Sequence, residues 1–200
     1  MNKILDYLDE LFPNAKCELI YNKDYELLIS VMLSSQTTDK KVNEVTSILY
    51  NKYKNLDSLN NANIDDIKEI IRPLGNYNKK SSNIIEIAKR LSAIGKVPND
   101  RVFLESLPGV GRKTANLVLC MLYNEPYMAV DTHVTRVSKR LGLADELDNT
   151  EVIENKLYNL IPKSNINKCH HQVVLFGRYY CKSNKPLCSN FKLKDICKKN

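Results

Sequence analysis

A chain of 200 residues suits one large domain or two small lobes, and it is long enough to bury a sizeable core. With 43% apolar and 26% charged residues it is not disordered, and a net charge of +7 suits a polyanionic partner, nucleic acid first. Asp6, Asp9 and Glu10 argue against an N-terminal signal peptide, and no apolar run approaches the roughly 20 residues of a membrane span, so a cytosolic chain with six reduced cysteines is expected.

The predicted elements are helices. Residues 25–33, YELLISVML, are nearly all apolar and predict a buried helix. Val42, Val45, Leu49 and Tyr53 recur at helical spacing, as do Ile64, Ile67, Ile71 and Leu74, after which Gly75 reads as a stop. The stretch 55–63, NLDSLNNAN, reads as a polar turn between packed helices. Ser81 or Ser82 is expected to cap a helix carrying Ile84, Ile87, Ala88 and Leu91, which Gly95 ends. A short helix follows over 102–107 and a longer buried one over 112–122. Val134, Val137 and Leu141 mark another, Ile153, Leu157 and Leu160 the next, and a last helix runs over roughly 168–180. No sustained period-two alternation appears, so the chain is expected to be all-α.

The most informative stretch is 107-LPGVGRKTA-115. Gly109 and Gly111, either side of Val110, let the backbone turn tightly and approach a partner without a Cβ in the way. A helix starts at once, and its first N–H groups and positive dipole end suit a phosphate. Arg112 and Lys113 add charge at the same place. The stretch resembles the helix-hairpin-helix motif, which by itself implies only a grip on the DNA backbone. A tight turn with incidental charges is the plain alternative.

Further along comes 130-VDTHVTR-136. Together with the hairpin, with 33-LSSQTTD-39, with 75-GNYNKKSSNI-84 and with 169-CHHQVVLFGRYYC-181, it resembles the endonuclease III family of DNA glycosylases. The likeness runs in order along nearly the whole chain. It implies an all-α, two-lobe helix-hairpin-helix glycosylase fold with an active-site cleft between the lobes. Residues 18–127 would form a six-helix domain, and 1–17 with 128–200 the second lobe. It implies removal of oxidised pyrimidines from duplex DNA by a monomer, then strand cleavage by β-elimination. Lys113 would be the nucleophile that forms a Schiff base. Asp131 would help manage the lysine proton and stabilise the cationic sugar. Asp131 could equally be a helix N-cap, and the two roles are compatible. Lys113 favours the bifunctional branch over the adenine-removing one, which lacks that lysine. A non-catalytic DNA-binding protein and a monofunctional mismatch glycosylase are the competing readings.

The target nucleotide must leave the duplex before it can be attacked. The resemblance places Gln36 where the family hydrogen-bonds an orphaned base. It places Asn76 where the family often carries an apolar wedge, and Asn stacks poorly. Cys17, Cys120 and Cys169 are expected to be buried thiols, and His133, His170 and His171 structural. The final stretch, 181-CKSNKPLCSNFKLKDIC-197, is similar to the family's C-x6-C-x2-C-x5-C loop for a [4Fe–4S] cluster. Cys181, Cys188 and Cys197 fall in register, but the third ligand position is Phe191. Such clusters are normally held by four thiolates. The cluster could persist with an open site, shrink to a three-iron form, or be absent with Phe191 as apolar filling. In every case Lys182, Lys185, Lys192, Lys194, Lys198 and Lys199 make the loop a candidate phosphate-contacting surface, Lys185 foremost.

Overall fold

The computed structural model describes residues 1–189 and 191–198, and every described element is helical. Lys199 lies outside the described residues. The chain divides into two compact units, Glu18–Tyr123 and Met1–Cys17 with Asn124–Asn200.

The helices are α1 (Asn2–Leu11), α2 (Asp24–Leu33), α3 (Asp39–Lys52), α4 (Leu56–Asn60), α5 (Ile64–Ile71), α6 (Tyr77–Ser92), α7 (Arg101–Glu105), α8 (Arg112–Tyr123), α9 (Thr132–Arg140), α10 (Thr150–Leu160) and α11 (Ile166–Tyr179). In the unit Glu18–Tyr123, α2 is the hub. Nine of its ten residues are buried, as expected for a helix that is apolar on all sides. Its two polar core residues are satisfied. Glu26 Oε2 accepts from the backbone N–H groups of Asn22 at 2.7 Å and Lys23 at 3.2 Å. Ser30 Oγ lies 2.9 Å from the Tyr50 hydroxyl, which donates to the Glu26 carbonyl at 2.8 Å. Burial pushes the Tyr50 phenol far above its ordinary pKa, so it stays a donor.

Two local expectations are corrected here. The stretch 55–63 is not all turn, because it holds α4. Asn55 Oδ1 accepts from the Ser58 N–H at 2.8 Å, and the Asn55 N–H donates to Ser58 Oγ at 3.1 Å. The polar residues that suggested a turn are a capping box. Nor does Ser81 or Ser82 cap α6, which begins at Tyr77 behind a left-handed Asn76. Ser81 is buried within the helix and bonds back to the Asn78 carbonyl at 2.9 Å. In α7, Leu104 is the buried residue and Val102 is exposed.

In the other unit, Ile4, Tyr7 and Leu8 of α1 share a core with Val134 and Val137 of α9, Ile153 and Leu157 of α10, and Phe176 of α11. Leu160 is exposed at the end of α10. Helices α9 and α11 meet closely at Gly177, where an added Cβ would lie 2.9 Å from His133 Cβ and 3.2 Å from Val137 Cγ2. Asp9 fixes α1 to α11 through Lys168 Nζ at 2.6 Å and Gln172 Nε2 at 2.5 Å. Among the described residues no helix is long and apolar enough to cross a membrane.

Candidate active site and nucleic-acid interface

The hairpin connects α7 to α8. Gly109 has φ +78°, a left-handed value that favours glycine. A Cβ there would collide with the Asn83 side-chain amide and come within 3.2 Å of Met32 Cγ. Gly109 is therefore required by the chain's own packing. Gly111 differs, because a Cβ there would meet nothing within 4 Å. Its bare backbone faces open space, where an outside partner could approach. Val110 is buried, so its side chain anchors the turn and only its backbone is available to a ligand.

Arg112 and Lys113 open α8 and are exposed. The first turn of any α-helix carries N–H groups that its own ladder leaves unpaired, together with the positive dipole end. The sequence thus sets a primary amine on an anion-attracting helix start, two residues beyond a glycine with open space before it.

Asp131 lies in the other unit and is the N-cap of α9. Its Oδ1 accepts from the Val134 N–H at 2.8 Å. The carboxylate is therefore held by the backbone and does not swing freely. The other end of α9 holds the cysteine loop. Arg136 Nε donates to the Cys181 carbonyl at 3.0 Å and its Nη2 to the Gly177 carbonyl at 2.7 Å. Arg140 Nη1 donates to the Lys182 carbonyl at 2.7 Å and contacts Cys181 Sγ at 3.3 Å. One helix thus carries the candidate catalytic carboxylate at its start and the loop anchors toward its end.

Phe191 sits in an aromatic group. Its ring centroid is 5.6 Å from Tyr7 and 5.7 Å from Phe176. Cys181, Cys188 and Cys197 line one cavity with Phe191, and the free space left is about 20 Å³. That is room for about one water molecule beside the Phe191 ring. Among the described residues no three His, Cys, Asp or Glu side chains come together as a metal-binding group. The residues present do not fit a four-thiolate cluster. The loop's charges are also unequal. Lys192 pairs with Glu10, and Lys198 Nζ lies 3.7 Å from Asp145, while Lys182 and Lys185 are exposed.

Cys120 and Cys169 are buried as expected, and burial pushes the Cys169 thiol up to about 12. Cys17 is only half-buried, against expectation. His133 serves structure, its Nδ1 lying 3.1 Å from Arg136 Nη2, and burial lowers the His171 pKa.

Gln36 follows α2 and Asn76 precedes α6. Both are exposed, with left-handed φ values of +63° and +48°, and Lys185 shares that conformation at +49°. Non-glycine residues held this way cost of order 1–3 kcal/mol and gather at functional sites. The structure also brings in a residue that sequence reading missed. Lys80 of α6 is buried and donates to the carbonyls of Leu33, Ser35 and Leu74, each at 3.1 Å. The signal was available, since Lys80 lies four residues before Ile84, in phase with the buried face Ile84, Ile87 and Leu91.

The HhH-GPD superfamily of base excision DNA repair proteins matches residues 29–163. Endonuclease III of Bacillus subtilis is 40% identical over 196 residues, covering 97% of this chain and 90% of that protein. Endonuclease III of Escherichia coli K12 is 41% identical over 197 residues, covering 98% and 93%. A solved endonuclease III trapped as a covalent intermediate with DNA superposes with a TM-score of 0.94 at 41% identity, covering 98% of this chain and 93% of that one. The chain belongs to the HhH-GPD superfamily of base excision DNA repair proteins and, within it, to the endonuclease III family of bifunctional DNA glycosylases and abasic-site lyases.

Proposed function

We propose that this chain removes oxidised pyrimidines from duplex DNA and then cuts the strand 3′ to the abasic site, with Lys113 as nucleophile and Asp131 as the stabilising carboxylate. The observation that carries the reading is Lys113, exposed in the first turn of α8 directly behind the open Gly111 backbone. The hairpin backbone and helix start grip a phosphate, and the Lys113 amine attacks C1′ of the extruded nucleotide. The C1′–N bond breaks and its electron pair leaves with the base, which takes up a proton. Positive charge developing on the sugar is stabilised by the Asp131 carboxylate, already fixed by its cap. The attached nitrogen passes one proton to the ring oxygen O4′ as the C1′–O4′ bond breaks, and its remaining electron pair forms a protonated C1′=N Schiff base. Loss of a C2′ proton then expels the 3′ phosphate, and water hydrolyses the imine. A monomer acting on cytoplasmic DNA is the expected working form.

The test is a panel of duplexes carrying an oxidised pyrimidine, a uracil or an adenine mismatch. Excision of the oxidised pyrimidine well above the others is expected. Preference for the mismatch, or products left uncut at the abasic site, would overturn the reading.

We also infer that the cysteine loop folds without an iron–sulfur cluster. Phe191 supplies apolar filling where the family carries a thiolate, and Arg136 and Arg140 hold the loop's carbonyls. In this reading the loop's task is electrostatic, with Lys182 and Lys185 meeting the DNA backbone. Protein purified without air should contain far less than one iron per chain. Stoichiometric iron with visible absorbance would refute the inference.

A further inference from the structure

Lys80 is only 4% exposed, yet it carries a primary amine. Burial pulls its pKa below the usual lysine range. Its three acceptors are all main-chain carbonyls: Leu33 at the end of α2, Ser35 in the loop that follows, and Leu74 at the end of the short turn before α6. An ammonium group has three protons, so the three bonds use its full donor capacity. Leu33 and Leu74 end helical segments, and helix-terminal carbonyls favour a cation.

The two loops joined by this amine are those that end on Gln36 and Asn76. Ser35 immediately precedes Gln36, and Leu74 stands two residues before Asn76. Both tips are exposed and hold left-handed backbone. The Lys80 N–H also accepts no freedom from its own helix start, because it donates to the Asn76 carbonyl at 3.1 Å. A strained backbone persists only when its surroundings over-determine it. Here one buried ammonium does this for both loops at once.

We infer that Lys80 is a positioning residue that sets the spacing of the Gln36 and Asn76 tips, so that the pair enters the gap left by an extruded nucleotide. This rests on the proposed base-excising reading. It assigns Lys80 no contact with DNA and no part in the chemistry. Purely structural stapling would stabilise the fold without altering preference for damaged over intact DNA.

The test reads that preference and needs no turnover. Affinity is measured for a duplex with a stable tetrahydrofuran abasic analogue and for the same duplex undamaged. Wild type, Lys80→Met, Gln36→Ala and the double variant form a cycle, with circular dichroism as the folding check. The expected result is a loss of about tenfold in preference for Lys80→Met, with affinity for undamaged DNA within about twofold of wild type. The double variant should be no worse than Lys80→Met alone, because Gln36 then has no fixed position to lose. Equal loss of both affinities, unchanged preference, or multiplying single effects would overturn the inference. If Lys80→Met does not fold, Lys80→Arg enters the same cycle. Its charge persists, but its planar fork does not converge three bonds from one atom, so the same non-additivity is expected. A wild type indifferent to the abasic analogue would also overturn it. The excision panel judges the proposed substrate separately.

Discussion

Asp131 accepts the Val134 N–H at 2.8 Å, so the carboxylate proposed for catalysis is also the cap of α9. The two roles separate by substitution. Asn caps a helix about as well as Asp, so Asp131→Asn should change stability by less than about 0.5 kcal/mol. It removes the charge that would stabilise the sugar cation, so single-turnover excision should fall by about 10²-fold or more. Asp131→Ala should lose that rate and about 1 kcal/mol of stability as well. Thermal unfolding and single-turnover kinetics on the same preparations check both.

The two hairpin glycines should fail in different ways. Gly109→Ala forces a left-handed alanine against Asn83 and Met32, and a cost of at least about 1–2 kcal/mol in stability is expected. Gly111→Ala meets open space within the chain. It should unfold like wild type yet bind duplex DNA more weakly, because its methyl group points where a phosphate backbone would approach. Denaturant melts and binding titrations distinguish the two.

Phe191 should prove a core residue and not a damaged ligand. Phe191→Ala should cost about 2 kcal/mol, less than the 3–5 typical of a fully buried Phe, because the ring is half-buried. Phe191→Cys restores the four-thiolate spacing. After reconstitution with iron and sulfide it should gain visible absorbance that wild type lacks.

Gly177 offers a remote test of how Asp131 is held. Gly177→Ala would press a methyl group onto His133 and Val137 and displace α9. Both lower stability and slower excision are expected, although residue 177 is on α11. Normal excision with lower stability would show that α9 tolerates the shift without moving its cap.

Helical spacing in the sequence placed the buried faces of α3, α5 and α9 because each repeats apolar residues on one side, and α2 was legible as a continuous apolar run. It missed α4 because Asn55 and Ser58 serve equally as turn residues and as a capping box; only neighbouring contacts select between them. It misplaced the start of α6 for a related reason. Serine is a common cap, whereas a left-handed Asn76 with a buried Lys80 behind it is specified by carbonyls of Leu33 and Ser35, distant in sequence. At the candidate site, Lys113 and Asp131 were singled out by the family resemblance, and the N-cap alternative for Asp131 is what the structure shows directly. The anchoring roles of Arg136 and Arg140 were not legible, since their acceptors are backbone carbonyls that carry no residue-specific signal.

In the proposed reaction Lys113 forms a Schiff base with the sugar. Borohydride reduces that C=N bond to a stable amine and fixes protein to DNA. Mixed with duplex DNA containing an abasic site, the wild-type chain should give a covalent complex, and Lys113→Ala should give none while still binding the duplex. No complex with wild type, or full trapping with Lys113→Ala, would rule out Lys113 as the nucleophile.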